Sequence, residues 1–251
     1  MVGSLMYAAL GSRPDITFSI TALSRYNVQP IEMHAMAAKR VLTYLKSTSE
    51  FRIHYPRFPS YSRSDTPSIN IIGYTDSDWA GNLTTRKSVG GCVFSLGHTG
   101  ANEELVMPGL IHWQAKSQSI VALSTLEDEY IACLHAIRAS LWLRCMMNKS
   151  AGGMAVKIVD GLVPIGYDNQ GAIKLITSGV IWQKSKHFDV KYNHVHDEQM
   201  KGAVKFRYVT SESNPADLLT KPLAVPPHEQ LLQLTGLTPL GHDDGESEYD
   251  E

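Results

Sequence analysis

Between Ile69 and Ser117, apolar residues alternate with polar or glycine positions in three short runs, "INIIGYTD", "GGCVFSLG" and "LIHWQAKS", with glycine turns nearby. This period of two predicts three successive strands, a meander. The period then lengthens. In "STLEDEYIACLHAIRASLWLRCMMN", apolar residues recur at Leu126, Tyr130, Leu134, Ile137 and Leu141, the stripe of an amphipathic helix. Ser124 and Glu127 match the S-x-x-E capping box, which gives Glu127 a structural role at the helix start. Glu129 has no such role. Ala132, Cys133, Ala136 and Ser140 lie on its face and are all small, so this face can sit close to a sheet with Glu129 directed toward it. Further on, "MAVKIVDGLVPIGYDNQGAIKLI" reads as strand, turn, a strand ending at Asp168, then helix. "AVKFRYVTSESNPADLLTKPL" reads as a strand, a polar loop and a short helix opened by Pro215.

Upstream the pattern is helical to about Tyr55. Pro14 opens "RPDITFSITALSRY" at a first helical position, and Met36, Val41 and Leu45 fall near helical spacing in "IEMHAMAAKRVLTYLKST". "PRFPSYSRSDTPS", 56–68, is rich in Pro, Ser and Arg without apolar periodicity and reads as a linker. The expected organisation is a helical segment over 1–55, the linker over 56–68, an α/β domain over 69–223 and a disordered acidic tail over 224–251, whose end reads "GHDDGESEYDE".

With 43% hydrophobic and 19% charged residues in 251, the chain can bury one good core. A net charge of −2 gives no overall attraction to polyanions, so any nucleic-acid contact must come from local basic patches. Cys92, Cys133 and Cys145 form no CxxC pair and fit buried thiols in a reducing compartment. No apolar run reaches the roughly 18 residues of a membrane helix, so an intracellular, membrane-free protein is expected.

Four acids stand at the ends of different elements: Asp76 at a strand end, Glu129 in the first turns of a helix, Asp168 at another strand end and Asp217 near the start of a short helix. Carboxylates gathered in one place repel and raise one another's pKa, so such a cluster implies cations that neutralise it. Two Mg²⁺ ions about 4 Å apart can activate a water and stabilise a leaving oxygen in phosphodiester cleavage. The expectation is that Asp76, Glu129 and Asp168 converge, with Asp217 at the rim.

The ordered stretches "GYTDSDWAGNLTTRKSVGG", "IHWQAKSQSIVALSTLEDEY", "YDNQGAI", "SKHFDVKYNHV" and "NPADLLTKPL" resemble the ribonuclease H domain of copia-type retrotransposon polyproteins. The resemblance spans nearly all of Ile69 to Leu223. Upstream, "GSLMYAALGSRPDITFSITALSRY" and "AAKRVLTYLKST" resemble the end of the preceding reverse transcriptase. It implies a ribonuclease H-like fold, a mixed five-stranded sheet with helices on both sides. It also implies Asp76, Glu129, Asp168 and Asp217 as catalytic metal ligands, two Mg²⁺ ions with Mn²⁺ as a substitute, and an RNA/DNA hybrid as substrate. The parent polyprotein or its reverse transcriptase would be the partner. The N-terminal segment would contribute no catalytic group and be separable from the domain. No Y-x-D-D polymerase signature is present.

Arg86, Lys87, Lys116 and Lys186 fall in or beside these motifs and are candidate phosphate contacts. Asp78 reads as a turn acid. His187, His194 and His196 lack the paired spacing of zinc sites, so no structural zinc is expected. Trp79 and Trp113 are candidates for base stacking or, more simply, for the core. Relatives commonly carry Ala, His and Arg where Asp128, Trp182 and His196 stand, and the hairpin over 97–110 is long. A rival reading is a catalytically inactive derived fragment that keeps the fold for binding.

Overall fold

The structure, a computed structural model, describes residues 1–55, 68–79, 81, 86–99, 105–118, 121–122, 124–150, 157–158, 161–178 and 194–240. The linker expected at 56–68 lies outside them except for Ser68, as do Trp182, Lys186, His187 and the acidic end from residue 241.

The chain opens with α1 (Val2–Gly11), a 3₁₀ turn (Pro14–Ile16), α2 (Thr17–Ser24), α3 (Glu32–Ser47) and a short strand β1 (Phe51–Ile53). The meander follows as β2 (Ser68–Asp78), β3 (Val89–Thr99), the two-residue β4 (Leu105–Val106) and β5 (Leu110–Ser117). Next come α4 (Thr125–Ser150), β6 (Lys157–Ile158), β7 (Val163–Tyr167) and α5 (Gln170–Ser178). After a helix over 194–200 (α6), the chain ends with β8 (Val204–Tyr208), α7 (Asp217–Thr220), α8 (Val225–Gln233) and β9 (Leu237–Pro239).

Five strands make the main sheet in the order β5-β3-β2-β7-β8. The first three run antiparallel, as a meander must, and β2, β7 and β8 run parallel. With helices on both faces this is the ribonuclease H-like α/β fold. Its core is divided by the pleat of β2, because successive side chains point to opposite faces. Ile71 packs with Tyr130, Cys133, Leu134 and Ile137 of α4, whereas Ile72 and Tyr74 pack with Leu219 and Trp113 on the other side. Ala132, Cys133, Ala136 and Ser140 are all buried, so the small face of α4 does lie on the sheet. The Ser124 hydroxyl accepts from the Glu127 backbone N–H at 3.1 Å and marks the start of α4.

Adjacent glycines set how near the two layers come. A Cβ on Gly90 would meet the Ala132 Cβ at 3.5 Å, an ordinary contact. A Cβ on Gly91 would meet Thr220 Cγ2 at 2.7 Å and Leu219 Cβ at 3.1 Å, so α7 approaches β3 more closely than any side chain permits.

Two sequence expectations change. Residues 225–239, expected to belong to a disordered tail, are instead folded: α8 buries Leu231 and Leu232, and β9 buries Leu237 and pairs antiparallel with β1. Gly236, at φ +73, makes the turn into β9. The N-terminal helices are also not free-standing. The Trp113 indole donates to the Ala9 carbonyl at 2.7 Å, so Trp113 is a core anchor. Within the segment, the buried Arg13 guanidinium binds Asp15 and donates to the Thr48 carbonyl at 3.0 Å, joining the 3₁₀ turn to the end of α3. On α3 the buried positions are Ala38 and Val41, with Met36 exposed. Among the described residues no helix is long and apolar enough to cross a membrane.

Candidate active site

Strand register brings the first two acids together. Gly73 and Tyr74 of β2 pair with Ile165 and Gly166 of β7, so Asp76 and Asp168 come level at the same end of two parallel neighbours. Asp76 sits in β2 opposite Gly91, and Asp168 follows directly on the end of β7. The third acid arrives from the far end of the chain. Asn214, fully buried, donates to the Thr75 carbonyl at 3.0 Å and accepts from the Ala216 N–H at 3.2 Å. The "NPAD" turn is thereby fixed to β2, and Asp217, the first residue of α7, falls beside Asp76.

One carboxylate oxygen from each of Asp76, Asp168 and Asp217 lies within 4.8 Å of the others. Asp76 and Asp217 are buried and Asp168 is partly so. An all-oxygen set of this size and charge suits a hard divalent ion such as Mg²⁺. Burial and the neighbouring Asp76 charge push the Asp217 carboxyl up to about 7, although Lys221 works the other way. Ser211 donates to Asp168 at 2.5 Å.

Glu129 stands apart from this trio, in contrast to the expected set of Asp76, Glu129 and Asp168. The pleat places Ser77 on the α4 face of β2, and Glu129 takes its hydroxyl at 2.6 Å. The Tyr167 hydroxyl donates to the same carboxylate, and the Asn169 amide donates to its other oxygen at 3.2 Å. Burial pushes the Glu129 carboxyl up to about 7, held back by the Ser77 and Tyr167 hydroxyls and raised further by Asp76. Glu129 is thus within electrostatic reach of the trio but held by its own three donors.

Sequence reasoning did not single out three groups at this site. Lys221, one turn beyond Asp217, donates to Asp76 Oδ1 and to Asp217 Oδ1, each at 3.0 Å. Burial alone would lower its pKa, but the two carboxylates raise it. The Thr220 hydroxyl donates to Asp76 Oδ2. Arg25, just past α2, acts on Asp78 with Lys221, opposing the rise that burial and Asp76 impose on that acid. Lys221 and Thr220 lie inside the quoted "NPADLLTKPL", but their attachment to a strand some 140 residues earlier leaves no local pattern.

Asp128 has its own environment. It is fully buried, and Gln118 donates to it, so it belongs to the packing between the end of β5 and α4. Burial pushes its carboxyl up to about 6. Of the basic candidates, Arg86 is exposed with φ 55 and Lys87 is partly buried at the entry to β3. Lys116 is exposed on the edge strand β5, where it lines a 390 Å³ groove with His112, Arg138 and Trp142. Lys186 lies outside the described residues. His196 is held by the Ile176 carbonyl at 3.1 Å, and Trp79 is half exposed.

No family model matches the chain. It is 32% identical over 236 residues to the retrovirus-related Pol polyprotein of transposon TNT 1-94 from Nicotiana tabacum, which covers 94% of this chain and 16% of that polyprotein. It is 29% identical over 239 residues to the corresponding polyprotein of transposon RE1 from Arabidopsis thaliana, 95% of this chain and 15% of that one. Homologues of the chain are thus retrovirus-related Pol polyproteins of plant copia-type transposons, and it spans about one sixth of the length of those polyproteins. It is also 33% identical over 151 residues to secreted RxLR effector protein 161 from Plasmopara viticola, 60% of this chain and 94% of the effector. Among solved structures, LC11 ribonuclease H1 in complex with an RNA/DNA hybrid aligns at a TM-score of 0.40 and 21% identity, covering 60% of this chain and 93% of that one.

Proposed function

We propose that this chain is a metal-dependent ribonuclease H that cleaves the RNA strand of RNA/DNA hybrids during retrotransposon reverse transcription. The observation that carries the reading is the convergence of Asp76, Asp168 and Asp217 from distant parts of the chain into one acidic site, with Asp76 and Asp217 buried and Asp168 partly so.

In this reading Asp76, Asp168 and Asp217 hold two Mg²⁺ ions, for which Mn²⁺ can substitute, and Glu129 is the fourth acid of the set. When bound, the ions lower the pKa of the attacking water and stabilise the departing 3′ oxygen. The protein's own work is positional. Asn214 fixes α7 against β2, Thr220 orients the Asp76 carboxylate, and Ser77, Tyr167 and Asn169 hold Glu129 in one rotamer. No protein nucleophile is needed. Arg86, Lys87, Lys116 and Lys186 would meet phosphates, and the hybrid would be recognised by groove shape and ribose 2′-hydroxyls, with no base preference. The 1–55 segment is proposed to derive from the end of the reverse transcriptase and to act here as a structural support.

A second reading, a retained fold without turnover, has one observation in its favour: Lys221 already neutralises two of the acids. A labelled hybrid incubated with the full chain separates the two. Cleavage in Mg²⁺ that stops on chelation supports the nuclease, and intact RNA at every metal concentration supports the inactive fold.

A further inference from the structure

Every carboxylate oxygen of Asp76 is in use. Oδ1 takes the Lys221 ammonium at 3.0 Å and Oδ2 takes the Thr220 hydroxyl. The same ammonium holds Asp217 Oδ1 at 3.0 Å, so it bridges two of the three acids of the cluster. Asp76 is 2% exposed and Asp217 7%, as side chains, whereas Lys221 is 31% exposed. The two acids cannot leave the site, but the lysine can.

Two buried like charges are unfavourable without a counter-charge. Lys221 supplies one from within the chain. A divalent ion on the same oxygens would sit about 2.1 Å from them and would compete for the carboxylate charge that the ammonium holds at 3.0 Å. Two cations this close to one pair of carboxylates repel each other.

We propose that Lys221 is a tethered counter-ion that holds Asp76 and Asp217 together in the metal-free protein and is displaced when metal binds. Metal loading and lysine release are then one event. No covalent bond changes: the ion takes over carboxylate contacts that the ammonium gives up, and Lys221 swings toward solvent, where it can meet a phosphate. The inference rests on the metal-dependent reading of the cluster. It adds that the acid pair is held together before metal arrives, at the expense of metal affinity.

The test uses the full chain and Mn²⁺ alone. Lys221→Met keeps the aliphatic stem and removes the charge. In chelator, this variant should melt below the wild type, because the acids lose their counter-ion. By calorimetry, its Mn²⁺ affinity should be tighter by at least about tenfold, because the two charge-assisted hydrogen bonds to Asp76 and Asp217 no longer have to be displaced. A second measurement needs no variant. Acylation of Lys221 in the wild type, followed by mass spectrometry, should be slow in chelator and faster with Mn²⁺. Equal or weaker Mn²⁺ binding by Lys221→Met, or Lys221 acylation that Mn²⁺ leaves unchanged or slows, overturns the exchange while leaving the metal site standing. Absence of Mn²⁺ binding in both proteins overturns the exchange and the metal-dependent reading together.

Discussion

At the scale of single residues, burial separates acids that look alike in the sequence. Asp128 stands between two glutamates, yet its side chain is fully buried against Gln118. Its folded-state value of about 6 lies above the ordinary carboxylate range. The group therefore favours the folded state fully below about pH 4, and this contribution is lost as pH rises through the folded value. The loss is on the order of 2 kcal/mol. In chelator, the wild type should melt several degrees lower at pH 8 than at pH 5, with Glu129 and Asp217, both raised to about 7, contributing in the same sense, and Asp128→Asn, which still offers an oxygen to Gln118, should reduce that dependence without abolishing it. Thermal unfolding at the two pH values decides it, and an unchanged slope in the variant would remove Asp128 from the explanation. Thr220→Val tests another single contact. Losing the hydroxyl that orients Asp76 should slow hybrid cleavage in Mg²⁺ while leaving hybrid binding in Ca²⁺ intact, read by gel cleavage against fluorescence anisotropy.

Among elements, the short helix α7 connects fold to chemistry. It carries Asp217 and Thr220, is followed by Lys221, and rests on β3 where Gly91 leaves no room. Gly91→Ala should push α7 outward, destabilise the fold by about 1–3 kcal/mol through overpacking and weaken metal binding. Gly90→Ala, one residue away on the opposite face, adds only an ordinary contact with Ala132 and should be nearly neutral. Denaturant melts of the two variants give a direct contrast, and equal effects would mean that α7 is not seated as described. The strands of the meander, α4 and its small face were legible because each is written in one local period. The strand end at Asp168 was legible for the same reason, whereas β2 runs two residues past the end expected at Asp76, so that Asp78, read as a turn acid, is its last paired residue. Pairing of β1 with β9 was not, because partners such as Phe51 and Pro239 are far apart in sequence and each run is only three residues long. Lys221 was illegible as a site residue for a related reason: a lysine after a short helix is ordinary until β2 is laid beside it.

Across the whole molecule, the N-terminal segment is an integral support. Trp113 holds Ala9, β1 pairs with β9, and α2 lies against α7 and β5. Removing residues 1–55 would strip the partner from β9 and uncover the α7 side of the core. Trp113→Phe is the milder probe. It keeps a ring but loses the hydrogen bond to Ala9, and should lower stability by about 1 kcal/mol with little change in cleavage per folded molecule. Loss of activity in proportion to the unfolded fraction, measured by circular dichroism beside the hybrid assay, agrees with a support role. Loss well beyond it would mean that the segment acts on the site itself.

Asp76, Asp168 and Asp217 are proposed to form one cation-holding site at which the RNA of a hybrid is cleaved. The most direct measurement is cleavage of a labelled RNA/DNA hybrid in Mg²⁺ by the wild type, Asp76→Asn and Asp78→Asn, with hybrid binding measured in Ca²⁺. Asp76→Asn keeps the shape but removes charge from the cluster, so cleavage should disappear while binding persists or tightens. Asp78→Asn, two residues on and outside the trio, should retain most activity. An active Asp76→Asn beside an inactive Asp78→Asn would contradict the site as assigned.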